Sequence, residues 1–172
     1  MIVVTAEKLT DYGLAQRACQ FTNHGHQQSN ISLKTLYACE HSPCRTQLFW
    51  IEMCGIPNFV SVHFVRHKVG VEHFVQTMRT DRGGNDETNR LTPTNHAMLC
   101  NAQALINMAR KRLCYKASRE TRQAMVAVLE AIKPIDPDLA RRMVPDCRYR
   151  GNICHEIKPC GYMRGVIHYK EL

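Results

Sequence analysis

Arg66-His67-Lys68 follows directly on a stretch whose Phe59, Val60, Val62, Phe64 and Val65 are apolar, and Gln76-Thr77-Met78-Arg79 comes shortly after. Three cationic or protonatable side chains in succession have no place in a buried strand. They must meet water, carboxylates or an anion. Arginine carries the planar fork that grips phosphate oxygens two at a time, so the two segments suggest an anionic ligand. The plainer alternative is a solvated basic edge.

A second constellation is Asn101, Gln103, Asn107 and Arg112, in a stretch that reads as one helix from Thr94 or Asn95 to Arg112. Ala102, Leu105, Ala109 and Leu113 would form its apolar side. Asn101 and Arg112 are separated by about three turns and share a face, whereas Gln103 and Asn107 lie on roughly the opposite one. Polar amides on two sides of an apolar helix are costly unless paired. Such a helix belongs between two ligand sites or at a subunit interface, unless it is simply a surface helix with snorkelling basic side chains.

A third is made of thiols. The chain has 9 cysteines, many for a reducing compartment and an odd number for a complete disulfide framework. Cys114, Cys147, Cys154 and Cys160 could converge on one tetrahedral zinc of structural type, with His155 able to replace one of them. Buried free thiols or disulfides are the alternatives. Cys19, Cys39, Cys44, Cys54 and Cys100 read as small core hydrophobes. His24 and His26 sit in a polar loop and read as solvent-exposed.

Composition narrows the partners. With 172 residues the chain is expected to form a single domain over 1–172, with 145–162 a Cys-rich tail. The net charge of +8 favours polyanions, but aromatic residues do not alternate with basic ones as on a strand-stacking surface, so a small anion ranks above nucleic acid. No apolar run is long enough to span a bilayer, and the N-terminal residues lack signal-peptide features. A reducing cytoplasm is expected.

The elements that must position these residues are expected as follows: a strand over Ile2–Ala6, a helix over Tyr12–Phe21, a loop over 23–30, a helix over Leu33–Cys39 and a strand over Gln47–Met53. Pro57 opens a helix that reaches Arg66, Val75–Arg79 reads as a strand, and Arg82–Asp86 as a loop. After the long helix come a second over Ser118–Ile132, stopped by Pro134, and a short one from Asp136-Pro137 to Met143. The class is α+β: a small mixed sheet packed with several helices and followed by the Cys-rich tail.

In this setting Arg66-His67-Lys68…Thr77-Met78-Arg79 resembles the Arg-His-Arg…Ser-x-Arg signature of flavin-dependent thymidylate synthases. Asn101-Ala102-Gln103-Ala104-Leu105-Ile106-Asn107…Arg112…Lys116-Ala117-Ser118-Arg119-Glu120 is similar to that family's Asn-x-Arg-x-Leu-x-x-Asn…Arg…His-Ala-Gln-x-Glu helix pair. His41 resembles its early flavin-contacting histidine, and Arg90 the arginine of its Ala-Arg-x-x-Leu-Pro segment. The resemblance runs in order from about Glu40 to the C-terminus. Val75, Thr77, Thr80, Gln103, Lys116 and Ser118 stand where the family has Glu, Ser, Tyr, Arg, His and Gln, and His63 where it has Gln.

The resemblance implies the fold of the thymidylate synthase complementing proteins and a homotetramer with sites shared between subunits. It also implies reductive methylation of dUMP: FAD accepts hydride from NADPH, and a methylene group passes from methylenetetrahydrofolate to C5 of the nucleotide. Carried over by position, His41, Arg66, His67, Lys68, Asn101, Gln103 and Asn107 would contact flavin. His63, Thr77, Arg79 and Arg90 would contact substrate. Arg112 would face the uracil ring as the catalytic residue. Two other readings accompany this one: a different one-carbon reaction, such as hydroxymethylation of a pyrimidine nucleotide, and a basic zinc-stapled module that binds nucleic acid or a protein.

Overall fold

The structure, a computed structural model, describes residues 2–23, 30–85 and 87–171. His24 and His26 lie outside the described residues, as do most of the loop expected over 23–30 and Asp86.

Four strands form one antiparallel sheet: β1 (Val3–Lys8), β2 (Leu48–Pro57), β3 (Val71–Val75) and β4 (Pro93–Asn101), in the order β1-β2-β4-β3. Alternation in β2 decides its faces. Phe49, Ile51 and Met53 are fully buried, while Glu52 and Cys54 are exposed. A bulge between Met53 and Ile56 shifts the register. Gly55 adopts φ 72° there and donates its N–H to Asn95 Oδ1 at 3.1 Å. The bulge returns Ile56 to the buried side before Pro57 ends the strand.

Helices cover one face: α1 (Tyr12–Thr22), α2 (Leu33–Cys39), α3 (Asn58–Val65), α4 (Ala102–Arg112), α5 (Arg119–Ile132) and α6 (Pro137–Arg142). Side chains of Asp11, Ser32, Asn101, Ser118 and Asp136 cap the N-termini of α1, α2, α4, α5 and α6. α5 lies across β1 and β2, and α3 across β2 and β4. Phe49, Ile51, Phe64, Met98, Leu105, Ile106, Met125 and Val128 meet in a fully buried core. Asp136 ties three distant elements together: it accepts from Lys8 Nζ of β1 at 2.7 Å and from Tyr37 Oη of α2 at 2.8 Å, and it caps α6.

The architecture is the expected α+β, with differences in detail. The long helix expected from Thr94 or Asn95 is a strand, β4, up to Asn101, and only then a helix. The strand expected over Val75–Arg79 lies earlier, at Val71–Val75. Cys19, Cys44 and Cys100 are buried as expected, but Cys39 and Cys54 are exposed. The tail contains the short helix α7 (Asp146–Tyr149) and a two-residue parallel pair, β5 (Ile153–Cys154) with β6 (Ile167–His168).

Candidate functional site

Arg112 ends α4, and its guanidinium is fixed from two directions. Its NH2 donates to the carbonyl of His63 in α3 at 2.5 Å, and its Nε donates to His67 Nε2 at 3.0 Å. Burial, and then the neighbouring Arg66, holds its proton affinity below the ordinary arginine value. His63 is gripped in turn, with Nδ1 2.8 Å from Thr121 Oγ1 at the start of α5 and its ring edge-on to Phe59 at 5.5 Å. Burial lowers its pKa, assisted by Arg112, Arg66 and Arg90.

Arg90 arrives from the loop before β4. The first amides of α3 need acceptors, and the loop supplies them: Asn58 N–H bonds Thr92 O at 2.9 Å and Phe59 N–H bonds Arg90 O at 3.1 Å. The Arg90 guanidinium then stacks over the Phe59 ring at 4.7 Å. Arg66, Arg90 and Arg112 therefore surround His63, and among the described residues none of the three forms an ion pair with a carboxylate. Three guanidiniums grouped without a counter-charge among the described residues favour a nearby anion. Arg66 and Lys68 also border an open groove of about 350 Å³ that is lined by Asn58, Ser61, Val62, Val65 and Val75.

Behind Arg112 runs a chain of imidazoles that the sequence did not disclose. Ser61 Oγ lies 3.0 Å from His96 Nδ1, His96 Nε2 lies 2.9 Å from His73 Nδ1, and His73 Nε2 lies 2.7 Å from the carbonyl of His67. For neutral imidazoles, hydrogen-bond accounting gives one consistent pattern of donors and acceptors. The carbonyl only accepts, so His73 donates from Nε2. Its Nδ1 then accepts from His96 Nε2–H, and His96 Nδ1 accepts from the Ser61 hydroxyl. Arg112 only donates, so His67 carries its proton on Nδ1. Burial pushes His67 and His96 down to about 4, helped in His67 by Arg112 and His73 and in His96 by His73. The chain braces the 66–68 turn against the sheet.

The remaining expected residues fall elsewhere. Asn101 is not within the helix; as the cap of α4 it accepts from Ala104 N–H at 2.9 Å, and its side chain abuts Gly70, which adopts φ 74°. Gln103 faces away from Arg112, donates to Glu40 Oε2 at 2.5 Å and accepts from the Cys44 thiol at 3.5 Å. Glu40 sits in the left-handed region at φ 53° and also takes Arg142 at 3.6 Å. His41, beside it, and Asn107 are exposed. Arg79 is an exposed partner of Asp81 at 2.7 Å, while Thr77 Oγ1 accepts from Arg79 N–H at 3.2 Å. Gly84 lets this loop fold back: a Cβ there would stand 2.2 Å from the Met78 carbonyl carbon. A single chain thus gathers His63, Arg66, His67, Arg90 and Arg112, and separates them from Gln103 by the width of α4.

Cys114, Cys147, Cys154 and Cys160 all line one cavity of about 230 Å³, along with His155, Glu156, His168 and Lys116. Burial first raises the Cys114 and Cys147 thiols above the ordinary thiol range; Glu156, Cys160 and Cys154 add to the effect on Cys114, and Cys114, Cys154 and Cys160 to that on Cys147. Beside them, burial alone would raise the Asp146 carboxyl, but bonds from Arg110 at 2.8 Å and Arg150 at 2.9 Å hold it below its ordinary value.

No family model matches the chain, and no curated protein matches it. Solved structures do share its fold. The thymidylate synthase ThyX of Helicobacter pylori, with FAD and dUMP, superposes with a TM-score of 0.67 at 14% identity, over 84% of this chain and 99% of that one. A second structure of the same enzyme, complexed with FAD and dUMP, gives 0.67 at 13% identity, over 83% and 99%. The UMP/dUMP methylase PolB of Streptomyces cacaoi, bound with 5-Br dUMP, gives 0.64 at 12% identity, over 83% and 94%. This α+β fold is therefore the one that those nucleotide-modifying enzymes use.

Proposed function

We propose that the protein transfers a one-carbon unit from methylenetetrahydrofolate to C5 of dUMP, using FAD and NADPH. The observation that carries this reading is the group of Arg66, Arg90 and Arg112 around His63, without a carboxylate among the described residues to neutralise it. An anion with a flat, polar base suits it: a stacked arginine at one end takes phosphate oxygens, and a pinned guanidinium at the other faces the ring. The fold-sharing enzymes are bound with dUMP or 5-Br dUMP, which supports a pyrimidine nucleotide. Arg79 and Thr77 are assigned to its phosphate.

The residues present fit a dinucleotide cofactor. Arg66 and Lys68 flank a groove with no acidic side chain along it, which suits a pyrophosphate. His67 and Asn101 stand behind them, and His41, Gln103 and Asn107 are assigned to the same cofactor across a subunit boundary. Flavin, when bound, supplies the hydride that completes the methyl group. Arg112 holds the base in register and stabilises negative charge developing on its ring, while its bonds to His63 and His67 keep it from swinging away. A homotetramer is part of this reading, because the assigned residues occupy opposite sides of α4. The outer sheet face, with Phe74 exposed and ringed against Trp50 at 5.3 Å, offers apolar surface for assembly.

The test uses the purified full chain. The expected results are a flavin spectrum, saturable binding of dUMP, and a nucleotide product heavier by one methyl group after incubation with methylenetetrahydrofolate and NADPH. At a hundred times its Kd, dUMP should stabilise the fold by about 2.7 kcal/mol. A colourless protein indifferent to dUMP ends the proposal, and a hydroxymethylated product redirects it to the neighbouring chemistry.

A further inference from the structure

The tail lacks what normally holds a polypeptide in one conformation. Among the described residues beyond Tyr149, none joins the apolar core. Ile157 is 84% exposed and Tyr162 71%. What remains is a two-residue strand pair, stacked rings (Tyr115 on Tyr162, His155 on Tyr169) and a few bonds such as Arg148 to the Arg164 carbonyl at 2.9 Å. A segment that buries so little needs a covalent or metal staple. What it does bury is Cys154 and His168, each 8% exposed, and the other three thiols around the same cavity are half-buried.

The four thiols come from separate places, namely the turn after α4, α7, β5 and the loop beyond it. We infer that Cys114, Cys147, Cys154 and Cys160 bind one zinc ion as a closed structural site that fastens the tail to the end of α4. Four sulfurs with no open position suit a structural zinc, since soft thiolates select it. The chain around Cys160 is shaped for this. Pro159 precedes it, and Gly161 follows at φ 72°, where a Cβ would meet nothing within 4 Å. Backbone conformation, not packing, therefore calls for glycine at this turn. Among the described residues no three His, Cys, Asp or Glu side chains already surround one metal-sized point. The thiols rim the cavity, and the loop carrying Cys160 must draw in to close it. Binding releases the thiol protons; Lys116 on the cavity wall offers one positive charge toward the tetrathiolate, with Glu156 and Glu171 also on that wall, while Arg110 and Arg150 are taken up by Asp146.

The site stands independently of the nucleotide reading, and one set of measurements separates the two. Full-length protein from zinc-supplemented medium is analysed for metals, and a chelator-treated sample is titrated with cobalt(II). The expected results are about one zinc per chain, a tetrahedral thiolate spectrum with cobalt, loss of metal in Cys154→Ser and Cys160→Ser, and retention in the exposed-cysteine control Cys39→Ser. Should the serine variants fail to fold, the cobalt spectrum of the unaltered chain decides. Absence of metal together with no thiolate spectrum overturns the inference, as does an iron centre or an intact mass that reveals disulfides among the four. Zinc without dUMP binding upholds the site and defeats the nucleotide reading; dUMP binding without zinc does the reverse.

Discussion

Arg112 is worth more as a fork than as a charge. Lysine at this position keeps the positive charge but loses the planar fork whose Nε and NH2 reach His67 Nε2 and the His63 carbonyl from one rigid group. Arg112→Lys should therefore lower kcat by about 10²–10³-fold, the usual cost of losing one preorganised donor, while the thermal midpoint moves little. A variant with wild-type turnover contradicts the role. The imidazole chain makes a prediction about pH. His67 and His96 hold their folded values near 4 against an ordinary 6.5, so between those limits the unfolded chain binds more protons than the folded one. Stability is then full above about pH 6.5 and declines as pH falls toward 4. Denaturant midpoints measured across that range check it, and a level profile would contradict the lowered values of the two buried rings. The arginines of this site were legible in the sequence because cations beside an apolar run demand an explanation. Glu40, His73 and His96 were not, because their partners lie far along the chain and nothing local marks them.

At the scale of elements, caps and stops were readable and one strand was not. Asp136-Pro137 and Ser118 announce α6 and α5 by the chemistry of helix starts. β4 reads as helix in the sequence because its buried positions are Thr94, His96, Met98 and Cys100, while Ala97 and Leu99 face the other way. Polar residues inside and apolar ones outside blur the period of two, and the apolar residues of α4 follow without a break. The cost of the junction is visible at Gly70, where a Cβ would stand 2.4 Å from Asn101 Nδ2. Gly70→Ala must strain a positive φ and displace the cap of α4. The expected loss is about 1–3 kcal/mol for the backbone, with up to about 1 more for the cap. Chemical denaturation measures it, and a loss under 0.5 kcal/mol (roughly the noise of surface substitutions) would refute the account.

For the whole molecule, Asp136 is the point at which chain order becomes three-dimensional order, since β1, α2 and α6 meet on one carboxylate that is 3% exposed. Asp136→Ala strands Lys8 and the Tyr37 hydroxyl in the interior, and a loss of about 3–5 kcal/mol is expected, typical of a broken buried pair. A fall in melting temperature should report it, while Lys133→Ala, in an exposed pair with Glu130, should change almost nothing. None of this convergence was legible beforehand, since residues 8, 37 and 136 share no local pattern. With the proposed homotetramer, the division of the assigned residues across α4 carries a genetic consequence. Two inactive variants, one altered at Arg112 and the other at Gln103, should restore activity to each other when co-expressed. Mixed assemblies would contain some pockets that draw an intact arginine from one chain and an intact glutamine from its neighbour, whereas either variant alone would contain none.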